Sequence, residues 1–110
     1  MESQMLNNET SGNITYKDSI LKTIQNHKTE LLDFGVSCIG LFGSYVRNEQ
    51  ISHSDIDILV DFFPEKENYD NYMALYDYLE NLFDKKIEIV TINGLSPYIG
   101  PHILKEVAYA

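Results

Sequence analysis

Two aspartates flank a single isoleucine in the run Ser54-Asp55-Ile56-Asp57-Ile58-Leu59-Val60-Asp61. In an extended chain alternate residues share a face, so Asp55 and Asp57 project to one side while Ile56, Ile58 and Val60 face a core. Carboxylates held that close repel unless a cation bridges them or one takes a proton. Oxygen-only ligation by few protein groups suits Mg²⁺, which fills its remaining positions with water and substrate phosphates. The same alternation produces a plain solvent-facing strand, so the pair by itself defines no site. Aspartate is nevertheless depleted in strands, and the residues around this pair carry chemistry of their own.

Gly43-Ser44 follows a short apolar run and opens a polar segment. A glycine there lets backbone approach a ligand closely, and Ser44 offers a hydroxyl and neighbouring N–H groups, which together would suit a triphosphate. An ordinary capped turn has the same residues. Arg47, about one helical turn further on, could reach the same phosphates or form a surface ion pair. Phosphoryl transfer with two metal ions needs a third acid near the attacking hydroxyl. Glu88, in Lys86-Ile87-Glu88-Ile89-Val90, is the candidate. Ile87 and Ile89 face the core and Glu88 faces away, so the three acids converge if this strand neighbours that of Asp55 and Asp57.

The elements that must position these groups follow from periodicity. Residues up to about Tyr16 are polar and aperiodic, which reads as a flexible leader, leaving 17–110 as the folded domain. Ile20, Leu21, Ile24, Leu31 and Leu32 recur at helical spacing from Lys17 to Phe34, with Gly35 as a stop. Val36 to Phe42 reads as a strand buried on both faces, Ile56 to Phe62 as a second strand ended by Pro64, and Ile87 to Ile92 as a third before the Asn93-Gly94 turn. Asn68 to Phe83 carries a stripe of Tyr72, Tyr76, Leu79 and Phe83 with Leu75 and Leu82 beside it, the pattern of a long helix. Ser96-Pro97 is placed to begin a last helix toward Glu106. Strands alternating with helices give an α/β or α+β domain around a small sheet.

Composition narrows the partners. Lys and Arg total 8 against 17 Asp and Glu among 110 residues, a formal net charge of -9. That surface repels a polyanion, so direct nucleic-acid binding is not expected, and it favours a basic protein partner or divalent cations. Cys38 is the single cysteine, which excludes an intrachain disulfide, and its apolar surroundings point to a buried, inert thiol. With no signal pattern and no apolar stretch near the ~20 residues that span a bilayer, no membrane role and a cytoplasmic setting are expected. His53 beside the aspartates, Asp61 further along their strand, and His27 and His102 form no further constellation. Of Tyr69, Tyr72, Tyr76 and Tyr78, those on the stripe are expected to pack in the core and the rest to face a partner.

Gly43-Ser44, ten residues, then Asp55-Ile56-Asp57 resembles the signature of the polymerase-beta-type nucleotidyltransferase superfamily. The minimal nucleotidyltransferase (MNT or MntA-like) antitoxins are the nearest likeness. The likeness runs from about Ile39 to Val60 and resumes at Lys86 to Thr91. It implies a nucleotidyltransferase fold, a small mixed sheet flanked by helices, with Mg²⁺, in all two ions, bound by Asp55, Asp57 and Glu88. It also implies nucleotide phosphates at Gly43 and Ser44, and attack of an acceptor hydroxyl on the α-phosphorus of ATP. The family commonly places aspartate third. Glu88 adds a methylene that moves the carboxylate by about a bond length, which bears on base placement.

The resemblance further implies the acceptor. Minimal members accompany a HEPN-domain toxin, an RNase, and transfer AMP to one of its tyrosines, neutralising it. The small size and acidity of this chain fit an antitoxin steered to a basic partner. Two alternatives stand beside that reading: an antitoxin that binds its toxin without catalysis, its metal site vestigial, and transfer to a small molecule such as an aminoglycoside.

Overall fold

The computed structural model describes residues 15–110. The leader expected over residues 1–16 lies, as far as residue 14, outside the described residues. Thr15 caps the first helix, its hydroxyl accepting the Asp18 N–H at 3.1 Å. Helix α1 (Tyr16–Asn26) is followed by α2 (Lys28–Asp33), strand β1 (Val36–Phe42), α3 (Ser44–Arg47), β2 (Ile56–Phe62), α4 (Tyr69–Phe83), β3 (Ile87–Thr91), α5 (Gly100–Glu106) and β4 (Ala108–Tyr109). Short 3-10 turns at Pro64–Lys66 and Ile92–Gly94 close β2 and β3.

The four strands lie in the order β3-β2-β1-β4. β1 runs antiparallel to β2 and to β4, whereas β2 and β3 are parallel and joined through α4, so the sheet is mixed. A parallel pair requires such a crossover, and α4 supplies it. Asn68 caps α4 by accepting the Asn71 N–H at 2.9 Å, and Asp84 ends it in the left-handed conformation. Ile56, Ile58 and Val60 face the helical layer as alternation predicts, packing with Ile20, Ile24, Leu31, Leu75 and Leu79 in the main core. On the opposite face Leu59 meets Phe42 and Ile103 in a smaller cluster beneath α5. Among the described residues no helix is long and apolar enough to cross a membrane.

Three expectations change and one element is added. The helix expected from Lys17 to Phe34 is two helices. His27 leaves helical geometry (φ -116°, ψ 21°), its N–H turns back three residues to the Ile24 carbonyl, and its Nδ1 donates to the Thr23 carbonyl at 2.8 Å. The change of direction buries Leu31 and leaves Leu32 57% exposed. The last helix begins at Gly100 rather than at Ser96-Pro97. A helix begun at Pro97 would need the Pro101 N–H to bond the Pro97 carbonyl, and proline has none. Ser96 instead caps a single turn, its hydroxyl accepting the N–H groups of Tyr98 and Ile99. Within β1, Ser37 is exposed and Cys38 only half-buried, so that strand is covered on both faces only from Ile39 onward. Finally, β4 is a strand that local periodicity in so short a segment does not announce.

Candidate active site

The parallel pairing of β2 with β3 sets Ile56 against Ile87, Asp57 against Glu88 and Ile58 against Ile89. The adjacency on which Glu88 depended is therefore present, and Asp57 and Glu88 are direct cross-strand neighbours on the face away from the main core. Asp57 is half-buried and Glu88 exposed. Burial, the negative charge of Glu88 with a hydrogen bond between the two carboxyls, and the charge of Asp55 push the Asp57 pKa up to about 6, with Arg47 opposing. That is the signature of an acid held among acids and partly withdrawn from water.

Gly43 supports Asp57 from the next strand. Phe42, the last residue of β1, pairs with Asp57, and Gly43 then turns the chain into α3 at φ +81°, where a side chain is strained. A Cβ on Gly43 would also run into the Asp57 carboxylate. Glycine is thus required twice over, for the turn and for the close approach of backbone to acid.

Asp57, Glu88, Gly43 and Arg47 wall a cleft of about 670 Å³. Its far wall is more apolar: Val90 from β3, Leu95 from the following loop, and Ile99 and Ile103 around α5, with His102 beside them. Asp55 lies just before β2 and borders a second, smaller cavity, of about 360 Å³, with Tyr72, Tyr76 and Lys86. Among the residues bordering the two cavities Glu88 is the one common to both. Ser44 begins α3 half-buried and is not part of the cleft wall.

Arg47 borders the cleft, but its guanidinium is already held. Nε donates to Glu49 at 2.9 Å, and Nη1 donates to the two Glu106 oxygens at 2.9 and 3.1 Å. Hydrogen bonds to Glu49 and then Glu106 raise its pKa further above its ordinary value. Glu106 also accepts the Gly43 N–H at 2.6 Å. Neither Glu106 nor the apolar residues of α5 stood out in the sequence, and His102, expected to belong to no constellation, lies on the cleft. The Tyr72 hydroxyl donates to the Ile89 carbonyl at 3.2 Å, and the Tyr76 ring is half-buried beside Asp55.

Among the described residues, no three His, Cys, Asp or Glu side chains are grouped closely enough to hold a metal ion between them as they stand. The donor chemistry nevertheless fits a hard divalent cation. Asp57 and Glu88 offer adjacent carboxyl oxygens whose mutual repulsion a cation would relieve, and Mg²⁺ needs only one or two carboxylates when phosphates complete its shell.

The family model for polymerase beta nucleotidyltransferases matches residues 13–108 of this chain. Protein adenylyltransferase MntA of Thermococcus cleftensis is 41% identical over 93 residues, covering 84% of this chain and 93% of that protein. A solved structure assigned provisionally as a minimal nucleotidyltransferase matches with a TM-score of 0.66 at 25% identity, over 89% of this chain and 98% of the other. The structure of a tri-AMPylated Shewanella oneidensis HEPN toxin in complex with MNT antitoxin gives a TM-score of 0.58 at 21% identity, over 81% of this chain and 70% of that one, a likeness of fold. The mixed sheet, its glycine turn and a match across nearly the whole described chain lead to one conclusion: the protein belongs to the polymerase beta nucleotidyltransferase family.

Proposed function

We propose that this chain is an antitoxin adenylyltransferase that moves AMP from ATP to a tyrosine hydroxyl of a HEPN-type toxin and so neutralises it. The observation that carries the reading is the Asp57–Glu88 pair across β2 and β3, set against the Gly43 turn on the floor of the cleft. Support for the acceptor class comes from the relative named a protein adenylyltransferase and from the fold shared with the complex of an AMPylated HEPN toxin.

The sheet order suggests how two substrates meet. From the Gly43 turn on β1, through Asp57 on β2, to Glu88 on β3, the groups lie in line across the sheet. A triphosphate laid along that line has its tail at the turn and its α-phosphorus near the two acids, with adenine against the apolar wall of Leu95, Ile99 and Ile103. The acceptor approaches from the cavity beside Tyr72 and Tyr76, because Glu88 borders both spaces. Asp57 and Glu88, with Asp55 nearby, would hold Mg²⁺, which when bound neutralises charge on the triphosphate and on the departing pyrophosphate. Glu88 takes the proton of the tyrosine hydroxyl as its oxygen bonds to the α-phosphorus and the bond to the β-phosphate bridging oxygen breaks. The products are the tyrosine–AMP phosphodiester and pyrophosphate.

Incubating the protein with a purified HEPN-type toxin from the same genome, produced in its absence, together with Mg²⁺ and ATP labelled at the α-phosphate, is expected to label the toxin. Asp55→Ala and Asp57→Ala are each expected to abolish the label. An unlabelled toxin with wild-type protein would overturn the reading. Protection of cells by the doubly substituted protein would show neutralisation by binding alone.

A further inference from the structure

The group that touches the glycine turn most closely comes from the far end of the chain. Glu106 closes α5, and its Oε2 accepts the Gly43 N–H at 2.6 Å while both of its oxygens take Arg47 Nη1. Its side chain is 25% exposed, against 48% for Arg47. Gly43 is therefore gripped between two carboxylates, Glu106 on its amide and Asp57 against its α-carbon.

Chain tethering alone does not require this carboxylate. β4 already pins the segment after α5 to β1, pairing Ala108 with Leu41 and Tyr109 with Gly40, and Ile103 packs under the helix on Phe42 and Leu59. A fourth acid beside Asp55, Asp57 and Glu88 also adds repulsion to a site meant for phosphates. Its placement makes physical sense when the acid is spent locally: one oxygen fixes an amide, both bind a guanidinium, and Arg47 neutralises it. Exposed ion pairs contribute little to stability, so the consequence of this one lies in geometry.

We propose that Glu106 is a positioning residue for nucleotidyl transfer. It holds the Gly43 turn against Asp57. Arg47 is then a brace for Glu106 and not a phosphate ligand. This inference rests on the transfer reading above.

The test compares wild type, Glu106→Ala and Glu106→Gln with the same toxin and labelled ATP, well below each protein's unfolding temperature. Glutamine keeps an acceptor for the Gly43 N–H but loses the charge that holds Arg47. The alanine variant is expected to lose about 10- to 100-fold in kcat, the scale of a small misplacement of reacting groups, with the KM for ATP changed by no more than about threefold. Glutamine is expected to restore most of the loss. In NMR spectra of the proteins alone, the Gly43 amide proton is expected to move upfield in Glu106→Ala and by less in Glu106→Gln. An active wild type whose kcat is unchanged in Glu106→Ala, or a Gly43 amide that does not move, overturns the positioning role. A wild type that transfers nothing is instead the failure of the transfer reading, and it takes this role with it.

Discussion

The two faces of the sheet are built on opposite terms. Toward α1, α2 and α4, β2 offers Ile56, Ile58 and Val60, each at most 1% exposed, and they join one apolar cluster with side chains of the helices. Toward α5 the same strand offers Asp57 and Leu59, and the cover is one short helix over a three-residue cluster. The first face is filled and holds most of the buried apolar side chains. The second is left partly open, and its acids are crowded where crowding costs stability. One strand thus serves both purposes because alternate side chains belong to different environments.

Changes on the two faces should therefore separate stability from chemistry. The largest stability effect is expected from Leu79→Ala, which empties a fully buried position between α4 and the sheet. A loss of about 2–5 kcal/mol is expected from urea unfolding, with transfer activity per folded molecule retained at low temperature. Loss of chemistry at undiminished folding would break the distinction between the faces. Gly43→Ala comes next. At φ +81° a side chain is strained, and here it would meet Asp57, so a loss of about 1–3 kcal/mol is expected. Unlike the core change, it should remove transfer in the molecules that remain folded.

The smallest effect concerns pH and carries a definite sign. Burial and the neighbouring acids push the Asp57 pKa up to about 6, well above the usual aspartate range, so the folded state holds this proton more tightly than the unfolded state. Its contribution to stability is complete below about pH 4, declines as pH rises, and is lost above about 6. The difference in urea midpoint between wild type and Asp57→Asn, followed from pH 4 to 7.5, should therefore shift in favour of the asparagine variant as pH rises. A difference that does not vary with pH would show that the acid is not strained by its neighbours.

Much of the first face and the centre of the second can be read from local pattern. β-branched alternation in Ile56-Asp57-Ile58 and Ile87-Glu88-Ile89 fixes both which residues are buried and that Asp57 and Glu88 point the other way. That the two strands are neighbours is a fact of topology, supplied by the α4 crossover. Local pattern fails where the partner is distant or polar. His27 breaks a helix whose apolar spacing continues through it, and Pro101 moves a helix start that Ser96-Pro97 otherwise marks well. Glu106 looks like any charged residue at a helix end, and only the return of the chain along β1 brings it to Gly43. For the same reason local pattern leaves Arg47 open between phosphate and an ion pair, and the fold supplies the ion pair through Glu49 and Glu106.

The bond from Glu106 to Gly43 spans 63 positions of sequence. Closing so long a loop comes at an entropic cost that nearer contacts do not meet, and contacts of this kind form late in folding. On the ribosome, Gly43 and Asp57 emerge well before α5, and Glu88 only shortly before it. The contact that closes the Gly43 turn is therefore available only once the segment from Glu106 to Tyr109 has been synthesised and β4 has zipped onto β1.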